Sequence, residues 1–186
     1  MIEPRHIPNI ITVFRLLLIP PVACAILLGD YQLAFWLFFL AGFSDGVDGF
    51  LARHYHWQSH FGATLDPIAD KLLMIVSFYC LSWVGVIPWW LFTVVLFRDV
   101  IIVGGAAAYQ WVTRSLQMEP ILLGKLNTAV QILLVMFVLT YKAYGIIPVW
   151  SVDLLTVGLL ISTIASGIAY VVIWSRKTRA HSHSES

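Results

Sequence analysis

The chain has 186 residues, of which 60% are hydrophobic and 11% charged, with a net charge of +1 and a mean hydropathy of +0.85. A soluble globular domain is about 45–50% apolar and about 25% charged, so this excess belongs to a polytopic membrane protein. No basic face is long enough to track a nucleic-acid backbone, and nucleic acid is excluded as a partner.

A bilayer core takes about 20 apolar residues per helix. Six spans fit that rule: Pro8–Leu28, Tyr31–Leu51, Asp66–Val84, Pro88–Trp111, Leu123–Ala143 and Val152–Trp174. Short connections at Gly29-Asp30, Gly85-Val86-Ile87 and Tyr144-Gly145-Ile146-Ile147-Pro148 carry the Gly and Pro that stop helices. The expected fold is therefore an all-α integral membrane protein of six transmembrane helices. One catalytic domain covers residues 1–178, and a polar tail at 179–186 is expected to be disordered. Cys24 and Cys80 lie in apolar runs and read as small buried hydrophobes.

Arg5, Arg53, Arg114 and the Arg176-Lys177-Arg179 cluster all fall on one side of an even helix count. Basic residues mark the cytoplasmic side, so both termini are expected there. Helix 2 enters from the far side at Tyr31, which places Asp45 roughly 20 Å in, towards the cytoplasm. Asp66 and Asp70 open helix 3. Arg15, Arg98 and Lys125 join these acids in the cytoplasmic half, and the economical reading is a polar cavity open to the cytosol. No cleavable signal is read at the N-terminus. The lack of an amphipathic Arg/Ser-rich leader points to a bacterial inner membrane.

The chemistry is concentrated between Phe43 and Leu73. Asp45 and Asp48 are three apart, and Asp66 and Asp70 four apart, spacings that put two side chains on one helix face. Charges in a membrane are costly unless partnered. Carboxylates from two helices make a hard, oxygen-rich site suited to Mg²⁺ or Mn²⁺. Two such ions can clamp a phosphoryl group. Gly49 and Ala52 remove bulk from one face of helix 2, Arg53 offers a fork of donors to phosphate, and Gly62 lets the connection turn before helix 3. His54, His56 and His60 are irregularly spaced in an interfacial loop and read as solvated.

The full pattern is Asp45-x2-Asp48-Gly49-x2-Ala52-Arg53-x8-Gly62-x3-Asp66-x3-Asp70. With the approach Ile7-Pro8-Asn9, Thr12 and Arg15, it resembles the CDP-alcohol phosphotransferase family over nearly the whole chain. The resemblance implies attack of an alcohol on the lipid-bearing phosphorus of CDP-diacylglycerol, with release of CMP. It implies Asp45, Asp48, Asp66 and Asp70 as ligands of two Mg²⁺ or Mn²⁺ ions, with Asp70 also taking the proton from the attacking hydroxyl. It implies Asn9, Thr12, Gly49, Ala52, Arg53 and Gly62 around the cytidine diphosphate part, and a homodimer among membrane lipids. Arg98, Arg114 and Lys125 are the candidate acceptor and phosphate-binding residues.

The acceptor divides the family. Phosphatidylglycerophosphate synthases look similar in the first half, but in the second they show Arg-Glu, a further Arg two turns on, and Gly-Lys-x-Lys-Thr. Here stand Arg98-Asp99, Ala106 and Gly124-Lys125-Leu126-Asn127-Thr128. RDVIIVGG and KLNTAVQ instead resemble the cardiolipin synthases of this superfamily, which implies phosphatidylglycerol as acceptor, with glycerol-3-phosphate as the alternative. Prenyltransferases share acidic helices but lack the Gly-x2-Ala-Arg insert. An ion transporter would carry polar residues through to the far side.

Overall fold

The computed structural model describes the backbone of residues 7–54, 60–113 and 122–182, and the side chains of 11–45, 66–105, 122–170 and 172. Among the described residues the regular structure is all helical, with α1 Ile7–Leu27, α2 Tyr31–His54, α3 His60–Trp83, α4 Trp89–Thr113, α5 Leu122–Tyr144 and α6 Val149–Ser182. Each helix covers one expected span. Helix α3 begins earlier than expected, so Gly62 lies in its first turn rather than in a connection before it. Likewise α6 runs to Ser182, into the stretch expected to be a disordered tail; residues 183–186 lie outside the described residues.

The turn between α1 and α2 shows how local chemistry sets these ends. Gly29 adopts φ 77°, a conformation that a side chain disfavours. The Gly29 N–H bonds the Ile26 carbonyl at 3.1 Å and the Asp30 N–H bonds the Ala25 carbonyl at 2.9 Å, which satisfies the last carbonyls of α1. Asp30 Oδ1 then accepts the Leu33 N–H at 3.0 Å and caps α2. The Gly-Asp pair thus ends one helix and starts the next. Gly85 and Gly145, also at positive φ, follow α3 and α5.

The chain divides into two compact units, Met1–Pro88 with Val135–Ser151, and Trp89–Leu134 with Val152–Ser186. In the first, α1 packs against both α2 and α3. Its buried stripe runs Thr12, Arg15, Leu18, Ile19, Val22, Ile26, the spacing of one helix face. The far end of this stripe is apolar, and α2, which packs on α1, buries Ala34 and Ala41 fully, small residues that let helices approach closely. The near end is polar. Pro67 supplies no N–H to the carbonyl of Ala63, so the backbone ladder of α3 is interrupted directly beside Asp66.

The second unit buries Leu91, Val95, Leu134 and Leu159, with Arg98, Asp99, Asn127, Gln131, Thr163 and Ser166 buried among them. In both units large apolar side chains also face outward, among them Leu17, Trp36, Phe43, Phe97, Val103 and Ile161. Two helices of the described residues, Leu122–Tyr144 and Val149–Tyr170, are long and apolar enough to cross a membrane. Cys24, expected to be buried, is exposed because it lies off the buried stripe of α1; Cys80 is buried, and both are free thiols.

Candidate active site

The acids of α2 and α3 are gathered by α1. Arg15 Nη1 donates to Asp45 Oδ1 at 2.8 Å and to Asp70 Oδ1 at 2.6 Å. One turn earlier on α1, the Thr12 hydroxyl donates to Asp66 Oδ1. Thr12 and Arg15 are three residues apart, Asp66 and Asp70 four, so the two contacts form successive rungs between helices running the same way. The motif spacing read on α3 has its counterpart on α1.

The burial of these groups is uneven. The Arg15 side chain is 0% exposed, whereas those of Asp45 and Asp70 are 43% and 44% exposed. The guanidinium lies beneath the carboxylates, which stay accessible from their other side. Charge-assisted bonds of this length fix the carboxylates in direction as well as position. Arg15 is thus an acid-pairing residue.

The donor set suits a hard divalent cation, since it consists of carboxylate oxygens around a centre with one buried countercharge. Among the described residues, no group of three or more His, Cys, Asp or Glu is drawn together tightly enough to hold a metal ion by itself. The carboxylates are instead drawn to Arg15 and Thr12. Asp48, the fourth acid of the motif, has its side chain outside the described residues, as do Asn9, Ala52 and Arg53. Gly49 lies within α2.

In the second unit, Arg98 is buried and held on several sides. Its Nε donates to Ser166 Oγ at 2.9 Å and its Nη1 to Asp99 Oδ1 at 2.7 Å. The guanidinium carbon lies 5.9 Å from the centre of the Tyr170 ring. Gly124 makes this packing possible: a Cβ there would meet the Tyr170 hydroxyl at 3.0 Å and Arg98 Nη2 at 3.5 Å. Lys125, the next residue, is exposed. Arg114 lies outside the described residues.

Next to Arg98 lies a polar group not anticipated from the sequence. Asn127 Oδ1 accepts from Ser162 Oγ at 2.7 Å and Thr163 Oγ1 at 2.9 Å. The signal was available: Ser162, Thr163 and Ser166 interrupt an apolar run of α6 at positions sharing a face, and Gln131 follows Asn127 by four.

Known proteins bear on the same residues. A family model for CDP-alcohol phosphatidyltransferases matches residues 5–174. A Drosophila melanogaster protein named probable cardiolipin synthase (CMP-forming) is 37% identical over 142 residues, covering 68% of this chain and 44% of that protein. The Homo sapiens cardiolipin synthase (CMP-forming) is 32% identical over 149 residues, covering 72% of this chain and 50% of that protein. A Mycobacterium tuberculosis protein named probable phosphatidylglycerophosphate synthase is 32% identical over 173 residues, covering 89% of this chain and 80% of that protein. The chain thus spans about half the length of the cardiolipin synthases it matches. Both acceptor names occur at comparable identity, while the match to the family takes in the acids, Arg15 and Arg98 together. The chain belongs to the CDP-alcohol phosphatidyltransferase family.

Proposed function

We propose that this protein is a membrane phosphatidyltransferase that moves the phosphatidyl group of CDP-diacylglycerol to the hydroxyl of phosphatidylglycerol, forming cardiolipin and releasing CMP. The observation that carries this reading is the set of carboxylates ordered by Arg15 and Thr12 and open on their other side, within a chain matched to the family from residue 5 to 174. The six helices span the membrane with both termini cytoplasmic, and the apolar side chains facing outward contact lipid. A bacterial inner membrane and a homodimer complete the reading.

Asp45, Asp48, Asp66 and Asp70 hold two Mg²⁺ or Mn²⁺ ions. When bound, these supply positive charge to the phosphoryl oxygens, where charge builds during transfer. Arg15 and Thr12 orient three of the carboxylates. Asn9, Gly49, Ala52, Arg53 and Gly62 hold the cytidine diphosphate part, together with Thr12. Arg98, Arg114 and Lys125 bind the acceptor's phosphate.

In the reaction the acceptor hydroxyl oxygen forms a bond to the lipid-bearing phosphorus. The bond from that phosphorus to the bridging oxygen breaks, and CMP leaves with the electron pair. The hydroxyl proton passes to the Asp70 carboxylate, whose Oδ1 is fixed by Arg15.

Glycerol-3-phosphate is the second reading, favoured by the match to a phosphatidylglycerophosphate synthase over 89% of the chain. A phosphodiester carries less charge than a phosphate monoester, so Ala106 and Asn127, standing where two basic residues would be expected, favour phosphatidylglycerol. The test offers purified protein CDP-diacylglycerol and Mg²⁺ or Mn²⁺, with each acceptor separately, while CMP is followed. Release with phosphatidylglycerol supports the first reading, and release with glycerol-3-phosphate alone replaces it with the second.

A further inference from the structure

Two features of the α4–α6 unit remain once Arg98 is placed. The first is polar. Arg98 Nη2, Asn127 Nδ2, and both Gln131 Nε2 and Oε1 are buried with no hydrogen-bond partner among the described residues. Buried polar groups are costly when unmet, and more so in a membrane, where water is scarce. Three nitrogen donors and one carbonyl acceptor call for an oxygen-rich partner with a hydroxyl of its own to donate.

The second feature is apolar. An open groove of about 590 Å³ lies between α4 and α6, with Phe97, Ile101, Ile164, Gly167, Ile168 and Val172 on its walls. Arg98 and Thr163 belong to both features. Each lines the groove, yet Arg98 Nε bonds Ser166 and Thr163 Oγ1 bonds Asn127. A polar cluster with unmet donors and an apolar groove therefore share a wall.

We infer that this unit binds an anionic lipid with a hydroxyl-bearing headgroup, one acyl chain in the α4/α6 groove and headgroup oxygens on Arg98, Asn127 and Gln131. Continuity of the groove with a buried guanidinium selects an acidic lipid over a neutral one. Identifying this lipid with the acceptor rests on the proposed transferase reading. A free glycerol phosphate would meet the polar groups but leave the groove unused. Asn127 and Gln131 then become determinants of acceptor specificity through neutral amides, which suit a singly charged phosphodiester.

Three variants test this. Gly167→Leu fills the groove, because among the described residues a Cβ at 167 meets only Arg98 Cγ, at an ordinary 3.9 Å. Asn127→Leu and Gln131→Met replace the amides by apolar groups of similar size. Each variant is expected to raise KM for phosphatidylglycerol about tenfold, the worth of one hydrogen bond or a comparable contact. KM for CDP-diacylglycerol should stay within twofold. If the amides enclose only structural water, Asn127→Leu and Gln131→Met leave the phosphatidylglycerol KM unchanged, and that result overturns the headgroup assignment.

A binding measurement separates this inference from the transferase reading. Without CDP-diacylglycerol, micelles containing phosphatidylglycerol should raise the thermal unfolding midpoint of the wild type above that in phosphatidylcholine micelles. The difference should vanish in Gly167→Leu. A difference retained in that variant, or absent from the wild type, overturns the lipid site whatever CMP release shows. CMP release with glycerol-3-phosphate alone overturns the acceptor identity while leaving this binding result to stand. Should Gly167→Leu lose its cooperative unfolding, Ile101→Phe fills the same groove from α4 and carries the same expectations.

Discussion

Arg15 and Arg98 are both arginines buried in apolar helices, and they serve opposite ends. Arg15 spends its charge within the protein: one nitrogen bridges Asp45 and Asp70, and the carboxylates remain open on their other side. Arg98 has one carboxylate, its neighbour Asp99, and one hydroxyl, Ser166, and leaves Nη2 without a partner among the described residues. The first arginine orders a set of anions, the proposed holders of a cation. The second is a cation held still with a donor to spare. A buried charge is tolerated only when paired or coordinated, and the two arginines meet that demand in different ways.

The strongest way to break this contrast is to disable the acid side. Asp70→Asn removes the proposed proton acceptor while keeping shape, and CMP release should fall about 10³-fold, within the usual range for a general base. CDP-diacylglycerol binding should partly survive, because Asp45, Asp48 and Asp66 remain. Normal turnover in this variant would falsify the proton-transfer role. Removing divalent metal with a chelator should abolish CMP release in the wild type, and Mg²⁺ or Mn²⁺ should restore it. Persistent release after chelation counts against the metal assignment.

Arg15→Met comes next. It leaves Asp45 and Asp70 without the cation between them, and because both carboxylates are nearly half exposed the cost is about 1 kcal/mol, below that of a fully buried pair. Thermal unfolding in detergent should show that loss. Added Mg²⁺ should recover more of it in the variant than in the wild type, since the cation then meets carboxylates stripped of their countercharge. Equal recovery in both proteins would indicate that Arg15 and the metal do not address the same carboxylates.

Much of the acid side was legible in the sequence, and for a definite reason. Asp45, Asp66 and Asp70 sit in apolar segments where an isolated charge is expensive, so their need for partners such as Arg15 and Thr12 could be read without coordinates. The helix ends were legible too, because Gly29-Asp30 and Gly85 leave few backbone choices. The pairing of Arg15 with two different helices was not, since it depends on the register between α1 and α3. The start of α3 was misplaced because Gly62 and the mixed residues around it, from His60 to Thr64, carry no clear apolar periodicity, although they belong to the helix. The Asn127, Gln131 and Thr163 group was missed for a related reason. Uncharged polar residues in an apolar helix are common, and only their convergence makes them significant.

On the other arm of the comparison the effects are smaller. Arg98→Lys keeps the charge but loses the planar fork that bonds Ser166 and Asp99 together, and KM for the acceptor should rise about tenfold with CDP-diacylglycerol unaffected. A matching rise in both Michaelis constants would mean that Arg98 serves the nucleotide lipid as well.

Ser166→Ala should do least, and its smallness is informative. It deletes the hydroxyl that receives Arg98 Nε, while Asp99 at 2.7 Å and the Tyr170 ring at 5.9 Å still hold the guanidinium. A hydrogen bond of this kind contributes about 1.5 kcal/mol net, and part of that returns if the freed Nε–H finds the acceptor's own oxygen. The expected change is therefore about threefold in acceptor KM, with kcat unchanged. Thr12→Val, the corresponding deletion beside Asp66, should instead lower kcat, because Asp66 loses the hydroxyl that α1 offers it and belongs to the proposed metal site. If the two variants changed the same kinetic constant, the division between an anion-ordering arginine and a donor-presenting arginine would fail. A split, with Thr12 moving kcat and Ser166 moving KM, would locate that division in single hydroxyl groups on α1 and α6.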